Sequence, residues 1–391
     1  MIDRRSIQVV LAGLMISGCL LCGCASEQEP AAAPAEPQAA EATEPSEAAT
    51  RTVTDSDGNE VTIPAEVTKV APSMGAFAQV TEMLTQGDGK IAAASTGQIS
   101  DAFKEIFSDY RTSNPNDYDS SSVEDMIAAG VQVVYGPTSM YTDEQKEQME
   151  KAGIAVVALN NIGNVEGLCE SILAIGEILG EDEYAVAQDF VKYYRDGLSD
   201  AEKRTAGLSD SEKKTVIQLN VTGDAYVCAD NSDISSEYYE SAGAINVAAD
   251  YDGAQSGQYR TVDAEQLVVW DPEYIITMNA SVKDAIMGDA ALANIQAVKN
   301  ENVYVCPTAL YLWCVRSAEG ALMTPWLGTV IYPDLFADVD MVKVLQGFYA
   351  DYYNASLSDD DAEKIIAGET SLASGGQGQG GGQGGGQGQG R

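Results

Sequence analysis

The chain has 391 residues, with 22 Lys and Arg against 60 Asp and Glu, a formal net charge of −38, and no histidine. So acidic a surface argues against nucleic acid and phosphate-rich partners, which need Lys/Arg stripes. The absence of histidine removes Ser-His-Asp and Cys-His catalysis and the commonest zinc ligand.

The first element in chain order is a leader. Arg4-Arg5 precede an apolar stretch over residues 7–21, followed by Cys22-Gly23-Cys24. A basic start, a short apolar core and a small residue before a cysteine form an export signal with the cysteine placed for lipid attachment. The stretch is short for a stable transmembrane helix. Cys24 is preferred to Cys19, which would leave Leu20-Leu21 in the mature chain, whereas Cys24 is followed by polar Ala25-Ser26-Glu27-Gln28. A plain secreted protein cut near Ala25 is the alternative. Residues 1–23 are therefore the signal, and 24–50, rich in Ala, Pro, Glu and Gln, a disordered spacer between lipid and domain. The expected location is the extracytoplasmic face of a cell membrane, through a lipid on Cys24.

The folded part opens with β-formers on either side of Asp57-Gly58, a hairpin signal over residues 52–64. Asp55, Asp57 and Glu66 loosely evoke a calcium loop, but Glu60 stands where the required glycine should be. An α/β rhythm follows: strand 69–72, helix 77–85, strand 90–94, helix 123–129, strand 131–135, helix 143–152 and strand 154–159. Alternation of this kind means a largely parallel sheet. Ile172, Ile175, Ile178, Leu179, Ala187, Phe190, Val191 and Tyr194 then fall at helical spacing, with a break near Gly180. Residues 165–200 are one long helix or two abutting ones. The rhythm resumes with strands 215–219, 274–277 and 303–305, and helices over 318–331 and 339–353 close the domain. The expected fold is α/β: an N-terminal lobe (51–164) and a C-terminal lobe (215–372) with mostly parallel sheets, joined by a helical linker (165–214), with a cleft between the lobes. Residues 373–391 are a Gly/Gln tail whose GxGxxG-like strings are products of low complexity.

Beyond the leader, Cys169, Cys228, Cys306 and Cys314 form no CxxC pair and read first as small core residues. No GxSxG, HExxH or P-loop is present, so an enzyme is not expected.

Several segments together resemble the helix-linked substrate-binding lipoproteins of ABC importers for iron-siderophores, haem and vitamin B12. They are Asp57-Gly58 with Val61-Thr62-Ile63-Pro64, Val123-Glu124-Asp125-Met126-Ile127, Trp270-Asp271-Pro272-Glu273-Tyr274 within residues 264–276, Asn300-Glu301-Asn302-Val303-Tyr304, and Trp326-Leu327-Gly328 followed by Tyr332-Pro333-Asp334-Leu335-Phe336. The resemblance runs from Thr52 to about Ile366. It implies a monomer that hands a metal chelate (a ferric siderophore or corrinoid, with haem next) to an ABC permease and its ATPase, needing no covalent cofactor. A small oxyanion such as molybdate is a further option, which would need several backbone N–H groups and a less aromatic pocket.

Glu124 and Glu265 each open a helix before a strand, one in each lobe. In the family such paired acids meet permease arginines, where charge-assisted contacts would set register. Paired carboxylates also serve glycoside hydrolysis, but these two are expected at opposite lobe tips. Loops at the carboxyl ends of the strands should line the cleft. The candidates there are Met74, Tyr118, Tyr135, Tyr226, Tyr259 and Trp313. Arg260, Arg316 and Arg111 are candidate partners for an anionic ligand. Trp313 with Arg316 resembles the Trp-x-x-Arg of corrinoid-binding relatives, and aromatic faces of this kind stack on macrocycles. Haem held by histidine is excluded by composition, but a tyrosine ligand such as Tyr135 or Tyr259 is open.

Overall fold

A computed structural model describes residues 49–369 and Leu372. The leader with Cys19 and Cys24, most of the spacer and the Gly/Gln tail lie outside the described residues.

Strands β1 (Thr50–Thr54) and β2 (Glu60–Pro64) form the expected antiparallel hairpin. Its turn is built by Asp55, whose Oδ1 accepts the N–H groups of Asp57 and Asn59 at 3.0 and 2.8 Å. Asp57 accepts both its bonds from the Asn160 amide. Behind the hairpin, β3 (Val70–Pro72), β4 (Val133–Gly136) and β5 (Ala155–Ala158) make a parallel sheet in that order. The strand expected over 90–94 is reduced to single bridges at Ile91 and Ala94. Val70 exchanges both its bonds with this segment, to Lys90 and from Ala92. The next rung would need an N–H from residue 72, which is proline and has none.

In the second lobe the strands are β6 (Thr215–Thr222), β7 (Ala225–Cys228), β8 (Ile245–Asn246), β9 (Gln255–Ser256), β10 (Tyr259–Val262), β11 (Tyr274–Thr277) and β12 (Val303–Val305). The sheet is mixed. The first half of β6 pairs in parallel with β8 and β11, and β11 with β12. Its second half pairs antiparallel with β7, which continues to β10 and β9. This antiparallel branch, unforeseen in the sequence, carries Tyr226, Tyr259 and Arg260.

The linker is two helices, Val165–Leu179 and Glu181–Thr205, joined by Gly180 alone. Gly180 has φ +149°, a region favouring glycine. The second helix folds back beside the first so closely that a Cβ on Gly176 would lie 2.8 Å from that of Ala187. Its 25 residues span about 37 Å. Glu183 pairs with Lys90 at one end, and Arg204 with Asp338 (2.5 Å) at the other. The helix Met341–Tyr352, expected in the C-terminal lobe, packs Phe348 and Tyr352 on Phe190 of the linker, and the adjoining Tyr353 meets Phe107 of the N-terminal lobe at 5.1 Å. One continuous apolar core therefore runs beneath both lobes. The cleft has a packed base as well as a helical tie.

Candidate functional site

The helices Val123–Ala129 and Ala264–Trp270 occupy matching places, each leading into a parallel strand (β4 and β11). Ser122 and Asp263 cap them by accepting the N–H of Asp125 and Gln266. A capped first turn exposes its acid where the helix dipole favours it, and Glu124 and Glu265 are both exposed. One turn further on, each helix exposes aliphatic surface: Ile127 at 52%, Val268 at 44% and Val269 at 76%.

At the end of β12 the chain enters a loop over residues 306–317 that returns through a bridge between Thr308 and Leu312 to the 3-10 helix Ala318–Leu322. Glu319 of that helix is fully buried and accepts hydrogen bonds from the N–H groups of Leu310 (3.1 Å) and Tyr311 (3.0 Å) and from Trp313 Nε1 (3.2 Å). The loop delivers two groups to the opposite lobe. Tyr311 sets its phenol against the main chain of Ala76. Arg316 donates from Nε to the carbonyl of Ile162 (3.3 Å) and reaches Gln258 Oε1 at 3.5 Å. Among the described residues Arg316 forms no ion pair. Tyr259 and Asp233 complete this corner, both within electrostatic reach of Arg316. Burial pushes the Asp233 carboxyl up, against hydrogen bonds from Ser235, which lessens its hold on Arg316. Across from the loop, Met74 is half-buried at the start of the helix Gly75–Thr85, and the Gly75 N–H is taken by Gln98 Oε1 at 2.6 Å.

Of the residues expected in the cleft, the structure brings Tyr259 and Arg316 together, with Met74 at the mouth of the facing helix. Two expectations are corrected. Trp313 is wholly buried because its indole finds an internal acceptor in Glu319. Tyr135 is 1% exposed, its hydroxyl 2.5 Å from Thr81 Oγ1, so it is a core residue and no haem ligand. Tyr226 bonds Asp289 at 2.6 Å and packs into the second lobe's own core. Tyr118 is half-buried against an apolar cluster of the first lobe. Arg260 is neutralised by Asp230 at 2.6 Å, and Arg111 is exposed, donating to the Lys104 carbonyl. Sequence reasoning missed Tyr311, Gln258, Asp233, Gln98 and Glu319. Tyr311 and Glu319 flank the Trp313–Arg316 pair that drew attention and could have been found there.

The four described cysteines are free and buried, as core residues would be, and no cluster of three metal-ligating side chains occurs among the described residues. Surface hollows of about 510 Å³ beside Val61 and Lys146 and about 480 Å³ beside Glu166 and Arg195 lie away from the loop.

Residues 87–310, more than half of the chain, match the family described as periplasmic binding protein, and the chain belongs to that family. It is 27% identical over 279 residues (64% of this chain, 75% of the relative) to the molybdate-binding protein MolA of Haemophilus influenzae. It is 26% identical over 333 residues (84% and 98%) to an uncharacterized ABC transporter substrate-binding lipoprotein, YvrC, of Bacillus subtilis. A crystal structure of a periplasmic solute binding protein from Veillonella parvula superposes with a TM-score of 0.66 at 25% identity, covering 82% of this chain and 97% of that one. The two-lobed α/β architecture is that of this family, a class of extracytoplasmic solute-binding proteins of ABC transporters.

Proposed function

We propose that the chain captures an anion between its lobes and delivers it to an ABC permease, tethered meanwhile by a lipid on Cys24. The observation that carries this reading is Arg316. It is a guanidinium tied across the lobe interface to the Ile162 carbonyl and, within its own lobe, to the Gln258 amide oxygen, with no carboxylate ion-paired to it among the described residues. A half-buried charge without an ion-pair partner at the lobe interface is a place for an opposite charge. The phenols of Tyr259 and Tyr311 add donors.

An oxyanion of the molybdate class fits first. Removing Trp313 and Tyr135 from the lining leaves less flat surface for a macrocycle, and the N-terminus of the helix Gly75–Thr85 turns the positive end of its dipole toward the loop. The relationship to a protein named as molybdate-binding supports this. A metal chelate (ferric siderophore, corrinoid or haem) is the second reading, favoured by Tyr259 and Tyr311, whose rings could meet its ligand shell.

The test is calorimetric titration of the exported chain with molybdate, tungstate and sulfate, and separately with ferric siderophores, cobinamide and haem. Saturable binding of one anionic class, weakened ten- to a hundredfold in Arg316→Gln, is the expected result; a charged hydrogen bond is worth about 1.5–3 kcal/mol. Undiminished binding in Arg316→Gln would overturn the site.

A further inference from the structure

We infer that Glu319 is the positioning residue of the ligand-facing loop, holding residues 310–313 in the shape that presents Tyr311 and Arg316 while accepting a hydrogen bond from Gln79 of the opposite lobe. The inference rests on the reading of the cleft given above.

Five donors converge on this carboxylate. Oε1 accepts from the Leu310 N–H, from Gln79 Nε2 (3.3 Å) and from the Tyr349 hydroxyl (2.8 Å). Oε2 accepts from the Tyr311 N–H and Trp313 Nε1. A carboxylate offers about four lone-pair sites, so the group is saturated. Three of the five donors belong to the loop. The other two come from the helix Gly75–Thr85, whose N-terminus faces the cleft, and from the helix Met341–Tyr352 that braces the base. The loop is also held by the Thr308–Leu312 bridge, by the Trp313 N–H bonded to the Pro307 carbonyl at 3.1 Å, by the Ser317 hydroxyl bonded to the Leu312 carbonyl at 3.3 Å, and by the Tyr349 hydroxyl, which shares the Leu310 N–H at 3.2 Å. No cation pairs with Glu319 among the described residues, so its negative charge is met by these dipoles.

The donor pattern makes a sharp test. Glutamine has the same shape but one acceptor oxygen, and in either orientation its NH₂ would face at least two donors. Amide hydrogen exchange of the full chain, resolved at Leu310 and Tyr311, reads the two loop bonds directly. In Glu319→Gln the Tyr311 amide should exchange at least tenfold faster than in the wild type and the Leu310 amide, which shares the Tyr349 hydroxyl, severalfold faster, while amides of β4 keep their protection. In Gln79→Ala, which removes only the cross-lobe bond, Leu310 and Tyr311 should stay within about twofold of wild type, with molybdate affinity reduced if molybdate is bound. A role in general stability alone would speed exchange at β4 as much as in the loop.

Wild-type exchange at Leu310 and Tyr311 in Glu319→Gln overturns the inference. If that variant does not fold, Trp313→Phe removes one loop donor and should loosen the same two amides severalfold; unchanged amides there overturn it equally. The exchange measurement needs no ligand, so the two readings fail separately. Faster loop exchange combined with undiminished binding in Arg316→Gln would sink the cleft assignment and leave Glu319 standing.

Discussion

Two buried carboxyls sit in contrasting surroundings. Glu82, in the helix Gly75–Thr85, and Glu319, in the 3-10 helix of the other lobe, are both wholly buried. Glu319 receives five hydrogen bonds; neither oxygen of Glu82 has a hydrogen-bond partner among the described residues. Burial pushes Glu82 up to about 8, with Asp109 adding repulsion. Burial pushes Glu319 up as well, but its donors hold it to about 7. The difference shows what hydrogen bonds do for a buried acid. They leave it closer to ionised, and they turn it into a point from which a loop can be hung.

Removing the side chains outright should separate the two roles most strongly. Glu319→Ala strands buried N–H and O–H groups, each worth about 1–3 kcal/mol when left unpaired, so a loss of about 3–5 kcal/mol by urea denaturation is expected. Glu82→Ala strands no donor and costs only its packing. Equal losses in the two variants would break the comparison.

A second effect concerns pH. Both acids have folded-state pKa values raised above the ordinary 4.5. Their contribution is therefore fully present below pH 4.5 and is lost as pH rises through about 7 for Glu319 and about 8 for Glu82. Tm should fall between pH 5 and pH 8.5. Glu82→Gln, which cannot ionise, should flatten that slope and make the protein more stable than wild type at pH 8.5, each pKa unit being worth about 1.4 kcal/mol. A slope unchanged in Glu82→Gln would mean that the ionised group finds a partner or water that this packing does not provide.

The same contrast explains what was legible in the sequence. The parallel strands β3 to β6, β11 and β12 stand out because buried strands are nearly continuous apolar runs, such as Val216-Ile217 and Ile275-Ile276. The segment 90–94 looked equally strand-like and was stopped by one missing donor at Pro72, a property of its partner. The antiparallel branch was hidden in short strands of mixed polarity, although Gly223-Asp224 between β6 and β7 is a two-residue hairpin signal. In the site, Arg316 was legible because a cation is conspicuous in so acidic a chain. Trp313 and Tyr135 were misplaced because an aromatic at a strand end, or in the loop beyond it, can turn either way. What decides is whether its polar atom finds an internal partner, here Glu319 and Thr81. A lone acid within Ser317-Ala318-Glu319-Gly320-Ala321-Leu322 was the available sign that a buried acceptor was waiting.

Glu124 and Glu265 mark the far end of the comparison: exposed acids, with effects on stability expected to be smallest. Reversing both to Arg touches no buried donor and loses only the helix-dipole contribution, so unfolding free energy should fall by about 1 kcal/mol each, and anion affinity should stay put. Uptake of the ligand by cells carrying the importer should nevertheless collapse, because the proposed role of these acids is to meet cationic side chains of the permease. The exposed Ile127, Val268 and Val269 sharpen this point. Aliphatic surface one turn beyond each acid would exclude water from a charge pair formed there, and a desolvated pair is worth more than a rim pair. Replacing the three with Ser should slow uptake several-fold while leaving both acids, the fold and ligand binding intact. Wild-type uptake in the serine variant would confine docking to the charges, and wild-type uptake in the double-Arg variant would remove docking from these helices altogether.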